Sequence, residues 1–168
     1  MDKNKSKYEE LVDYLYLRSN VDSGFRADLR RAAVPVTEHY CWDVLHKFGL
    51  NINSDLERRS GSLVASIVGS NRYKRDGKMS IGAALAKCYG NGASSSAAEL
   101  KMRRLLAVRT NEELCSVLRP LLMLISSRTN QPLDCKRLLK EMVRFENDRE
   151  AIRVRWASDF YTRSSVEK

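Results

Sequence analysis

Apolar residues recur at helical spacing along almost the whole chain, and alternating stretches of strand type are nearly absent. Leu11, Tyr14 and Leu15 predict a first helix over 7–19. Ser23 is placed to cap a second, in which Phe25, Leu29, Ala32 and Ala33 follow i, i+4, i+7 and i+8 until Pro35 ends it. Thr37 opens a third through Trp42 and Leu45, and Gly49 supplies the stop. A fourth starts near Ser54 and passes Leu63, Val64 and Ile67 to about Gly69, with Gly61 weakening its middle. The polar run at 70–78, SNRYKRDGK, reads as an exposed loop, and a short helix follows around Ile81–Cys88.

The second half is punctuated by cap signals. Ser96 with Glu99, Thr110 with Glu113 and Asn147 with Glu150 each put an acceptor three residues before a Glu, the spacing of a capping box. Asp134, just after Pro132, is placed as a further cap. Helices are expected near 97–109, 111–127, 135–146 and 148–163, with Pro120 kinking the second of these or breaking it at Arg119. The fold class is therefore all-α, with about eight or nine helices in a bundle-like arrangement of two small lobes. The Gly- and Ser-rich run 90–96 is the natural connection between a lobe at 1–90 and a lobe at 97–168, the two sharing a core.

Composition narrows the function more by exclusion than by indication. No apolar run approaches the roughly 20 residues of a membrane span, and the lysine-bearing N-terminus lacks the apolar core of a signal peptide. Membrane partners are thus not expected, and a cytoplasmic location is. Cys41, Cys88, Cys115 and Cys135 form no CxxC pair and read as buried free thiols in a reducing compartment. His39 and His46 flank Cys41, but Cys41 points about 200° away from His39 on a helix, so three converging metal ligands are not expected. Gly77–Lys78 has the ending of a phosphate loop, yet Arg72 stands where the first glycine belongs and Met79 where the hydroxyl belongs. The glycines at 90 and 92 follow no strand. With no nucleophile, base or metal motif, the chain reads as a non-enzyme that needs no cofactor.

The formal charge is +9, and most of the excess lies in residues 25–109, with 15 basic against 7 acidic residues. Arg26 and Arg30 stand at i and i+4 with Arg31 beside them, off the apolar face of their helix. Like charges at that spacing cost an isolated helix about 0.2–0.5 kcal/mol, a sign that a bound phosphate would reverse. The helix after the Ser-rich run repeats the pattern, with Lys101, Arg103 and Arg104 off the stripe of Ala98, Met102, Leu105 and Leu106. Arg137, Lys140 and Arg144 make a third set, and Arg72, Lys74 and Arg75 surround Tyr73, a ring able to stack on a base. Each cluster alone reads most simply as a solvated helix face. Three helices and a loop together point to a polyanion surface that holds phosphate rather than base edges. Two other classes fit the composition: a small helical nucleic-acid-binding regulator, and a structural scaffold whose charge is incidental. The segment 54–69 is too apolar and glycine-interrupted for a recognition helix.

Five segments in order carry a family resemblance: GFRADLRRA (24–32), SIGAALAKCYG (80–90), AAELKMRRLLAVRTNEELCSVLRPLL (97–122), QPLDCKRLLKEMVRF (131–145) and RVRWASDFY (153–161). Each alone is largely a helix face; the ordered set, ending in Trp156–Ala157 and Phe160–Tyr161, resembles the CasB family, the small subunit of the type I-E CRISPR Cascade surveillance complex. The resemblance implies an all-helical, non-catalytic subunit for antiviral defence, present as a homodimer beside the other Cascade subunits and crRNA. It would support the target strand and the displaced non-target strand through positive residues and so stabilise the R-loop. Carried over by position, Arg30 and Arg31 match the family's arginine pair, and Lys101 and Arg104 its basic positions on the later helix. Lys101 stands where the family usually has Arg, and Pro120 interrupts a helix expected to continue.

Overall fold

The computed structural model describes residues 4–162. Among them lie eight α-helices and no strand, so the fold is all-α. The chain divides into two compact units. One comprises Met1–Asp76 with Cys135–Val143, and the other Gly77–Asp134 with Arg144–Lys168. The division thus falls at 76–77 and uses a returning segment, whereas composition suggested lobes at 1–90 and 97–168.

The first unit contains α1 (Lys7–Ser19), α2 (Ser23–Arg31), a 3-10 turn (Glu38–Cys41), α3 (Trp42–Lys47) and α4 (Asp55–Ser70). It also holds the first turns of α8 (Cys135–Thr162). A capping box starts α1: Ser6 Oγ accepts from Glu9 N, and Glu9 Oε2 accepts from Ser6 N at 2.9 Å. Asp22, not Ser23, caps α2, taking the Phe25 amide at 2.9 Å. Ser23 is already inside the helix, and the carboxylate before it is the stronger acceptor for the helix's partial positive charge. Thr37 makes no side-chain cap; its hydroxyl donates to Arg31 O, and the tighter 3-10 turn precedes α3. Gly49, at φ +79°, ends α3 with its amide on His46 O, as the sequence indicated.

Leu11, Leu15, Leu29, Leu45, Leu50 and Val64 form the core of this unit, joined by Leu139 and Met142 of α8. Gly69 lets α4 meet α2 backbone to backbone. A Cβ there would lie 2.7 Å from Leu29 Cβ and 2.8 Å from Arg30 N. Gly61 does not interrupt α4, which runs through it to Ser70.

The second unit contains α5 (Ile81–Lys87), a 3-10 turn (Gly92–Ser94), α6 (Ser96–Ala107), α7 (Asn111–Arg128) and the rest of α8. The cap of α6 is Ser95, which accepts from Ala98 N, one position before the expected Ser96. Ala93, within the run 90–96, is buried. Thr110 caps α7 through Glu113 N, but Glu113 returns to Arg109 N at 2.8 Å. Pro120 sits inside α7 without breaking it. It and Ser116, whose carbonyl loses its partner, are exposed, so water can take that carbonyl; Leu118, Leu121, Leu122 and Ile125 are buried and hold the helix. The chain does break where a new helix was expected near Asn147: Asp148 is non-helical (φ −115°, ψ 25°), and helical stretches lie on either side of this kink within Cys135–Thr162. Residue 163, the expected end of that helix, lies outside the described residues. Phe145 and Trp156 stack at 5.9 Å in the core of this unit.

Candidate nucleic-acid interface

Identical spelling leads the α2 arginines to different fates. Arg26 is half-buried; its Nε donates to Gly69 O at 3.0 Å and a terminal nitrogen to Asn71 O at 2.5 Å. It thereby satisfies carbonyls at the end of α4 that have no intrahelical partner. Arg30, one turn later, is exposed and makes no ion pair among the described residues. Arg31 is exposed, 3.1 Å from Asp28, with its guanidinium 5.0 Å from the Tyr40 ring centre. Such an exposed pair is worth at most about 1 kcal/mol and exchanges readily for a phosphate.

The loop 71–76 belongs to the same unit and brings Arg72, Lys74 and Arg75 to the surface. Arg72 lies over its neighbour Tyr73, 5.4 Å from the ring centre. Lys74 and Arg75 carry no side-chain partner among the described residues. Arg26 ties this loop to α2 through Asn71 O. On α8, by contrast, Arg137 is committed to Glu141 at 3.0 Å and Lys140 to Glu9 at 2.9 Å. Glu9 is held down at about 2, first by the Ser6 amide and then by Lys140. These two cations serve the fold, while Arg144 is exposed.

In the second unit, α6 presents Lys101 and Arg104 to solvent with no partner among the described residues. Arg103 between them pairs with Glu99 at 2.7 Å. The apolar stripe opposite is buried at Ala98, Met102 and Leu105, which fixes the outward direction of the two free cations.

One cationic group in the first unit escaped the sequence reading. Tyr14 Oη accepts from Arg18 at 3.0 Å and from Lys47 at 3.3 Å, and the two cations hold its phenol below the ordinary tyrosine range. Arg18 also lies 4.5 Å from the centre of Phe25. The i, i+4 spacing of Tyr14 and Arg18 was a visible signal; Lys47, 33 positions on, gave none.

Among the described residues no three His, Cys, Asp or Glu side chains come together to hold a metal ion. All four cysteines are free and buried, and burial pushes the Cys41 thiol up to about 12. His39 packs on Tyr40 at 4.8 Å and edge-on to Trp42. No described helix is long and apolar enough to cross a membrane.

Exposed cations without a partner among the described residues thus stand on both units of this all-helical chain, Arg30, Lys74 and Arg75 on the first and Lys101 and Arg104 on the second. The family model for CRISPR-associated protein Cse2 matches residues 25–161, and the chain belongs to that family. Solved structures agree on the fold. CasB from M. ruber superimposes with a TM-score of 0.76 at 22% identity, covering 96% of each chain. A Cse2-family CRISPR-associated protein from Thermus thermophilus gives 0.73 at 22% identity, over 94% of this chain and 99% of that one. A chain of a CRISPR RNA-guided surveillance complex gives 0.71 at 19% identity, over 95% and 94%. No curated protein matches the sequence.

Proposed function

We propose that this chain is the non-catalytic small subunit of a type I-E Cascade complex, working in the cytoplasm as two copies beside the other subunits and crRNA. Its role is to hold the target strand and the displaced non-target strand by their phosphates and so to stabilise the R-loop. One observation carries the reading: Arg30, Lys74, Arg75, Lys101 and Arg104 are exposed cations that no acid among the described residues neutralises. Arg31 joins them through an exchangeable pair, and Arg72 through its place beside Tyr73. Arg26 and Arg137 are assigned to the fold. Family membership and the likeness to a surveillance-complex chain support the setting. In guide-directed recognition base pairing carries the sequence information, and a protein surface needs charge and shape.

The test is R-loop stability in the assembled complex as a function of salt, on two unrelated matched targets. Replacing Arg30 and Arg104 by Ala should flatten the logarithmic salt slope by up to about two contacts, at roughly 0.7 to 0.9 each. The loss should be similar on both targets, because no base edge is read. An unchanged slope with normal assembly overturns the proposal and leaves the two arginines as solvated surface.

A further inference from the structure

The loop 71–76 places three cations, Arg72, Lys74 and Arg75, within four residues. A run of this kind repels itself, and such segments are ordinarily extended and variable in shape. Here its backbone is fastened from several directions, all within the first unit. Asp76 turns both carboxylate oxygens to the start of α8, taking the Cys135 amide at 2.8 Å and the Lys136 amide at 3.1 Å. These amides have no intrahelical partner, and the sequence had pointed to Asp134 for that duty. Asn71 donates to Tyr16 Oη at 2.9 Å and accepts the Tyr73 amide at 2.7 Å. Its carbonyl is held by Arg26, and the Lys74 carbonyl by Asn20 Nδ2 at 2.8 Å. None of these bonds engages the side-chain charge of Lys74 or Arg75.

We propose that Asn71 and Asp76 are positioning residues for nucleic-acid binding, holding the loop so that its cations form a ready-made cradle for the backbone of one strand. The inference rests on the reading of the loop cations in the preceding subsection. Four residues of extended chain span at most about 14 Å, a few phosphates of one strand. With the loop already ordered in the free protein, its ordering cost falls on folding rather than on binding.

Opposite signs separate this from a purely electrostatic role. Asp76→Ala removes an acid from a cationic loop, so charge alone would tighten binding. Positioning requires binding to weaken, by about three- to tenfold. The measurement is affinity of the full-length protein for a fluorescent 20-nucleotide oligo-dT strand and for a 20-base-pair duplex, against salt. Asn71→Ala, which leaves the charge unchanged, should weaken binding in the same direction, and both variants should keep the wild-type salt slope. Tighter or unchanged binding by folded Asp76→Ala overturns the proposal. A double Lys74→Ala, Arg75→Ala variant tests the underlying reading by itself: its slope should flatten by up to about two contacts. If that slope is unchanged, the loop does not meet the strand, and the failure lies there. Amide hydrogen exchange of the wild type is independent of any variant's folding. The amides of Tyr73, Cys135 and Lys136 should be protected, and exchange at open-peptide rates overturns the proposal.

Discussion

Helices α2 and α6 carry the same signature, basic residues set off a buried apolar stripe, yet they use it differently. On α2 the first arginine is drawn inward because the end of α4 lies beside it with carbonyls to satisfy. On α6 Lys101 and Arg104 meet no carbonyl or carboxylate among the described residues, and only Arg103 finds an acid, one turn back along its own helix. Whether a basic side chain faces outward with its charge available therefore depends on what lies next to its helix, more than on its spacing along it. A helix end nearby captures a guanidinium; an open flank leaves it for a ligand.

That contrast predicts three graded effects. The largest is Arg26→Ala, which removes two charge-assisted hydrogen bonds and should cost about 2–3 kcal/mol in urea unfolding. Arg26→Lys, with a single ammonium that cannot span both carbonyls, should recover only part of it. If Arg26→Ala proves as silent as an exposed substitution, the capture of Arg26 is not what separates the two helices.

A second effect concerns Lys140, another cation drawn into the fold. Its partner Glu9 has a carboxyl lowered from 4.5 to about 2. The depressed value means the contribution is fully present above pH 4.5 and is lost as pH falls towards about 2. Because the group is partly solvated, the amount is about 1 kcal/mol. Glu9→Gln should lower stability at pH 7 and narrow its difference from wild type as pH falls through that window. A constant difference from pH 7 to pH 2.5 would contradict it.

The smallest effect sharpens the other side. Lys101→Ala and Arg104→Ala should each change folding stability by less than about 0.5 kcal/mol. Thermal melts that shift as far as those of Arg26→Ala would show that α6, too, uses its cations internally.

Much of the fold was legible because it follows from local rules. Ser54 caps α4, Thr110 caps α7, and the bounds of α1 follow from its apolar spacing. The Ser6–Glu9 box was spelled out in the chain and passed unread. Of the two outcomes expected at Pro120, the break at Arg119 does not occur, because Leu118, Leu121 and Leu122 around it are buried and hold the helix, which spacing alone does not weigh. Spacing singled out Arg30 and Arg104, which are exposed, and by the same rule Arg26 and Arg137, which are bonded within the fold. The difference between Arg26 and Arg30 lies 43 residues downstream, at Gly69. Asp76 was invisible for the same reason, since it caps a helix that begins 59 positions later.

That long reach has a consequence for the protein as it is made. The first unit is interrupted in sequence and is closed only by Cys135–Val143. When Asp76 leaves the ribosome, the amides it will cap, at Cys135 and Lys136, have not been synthesised, nor has Lys140, the partner of Glu9. At about 5–20 residues per second, the gap of 60 residues corresponds to roughly 3 to 12 seconds of elongation. During that interval the nascent chain holds α1 to α4 and the cationic loop without the turn of α8 that fastens them. A pause in translation across this stretch would lengthen the life of that incomplete unit, whereas a pause after Val143 would not.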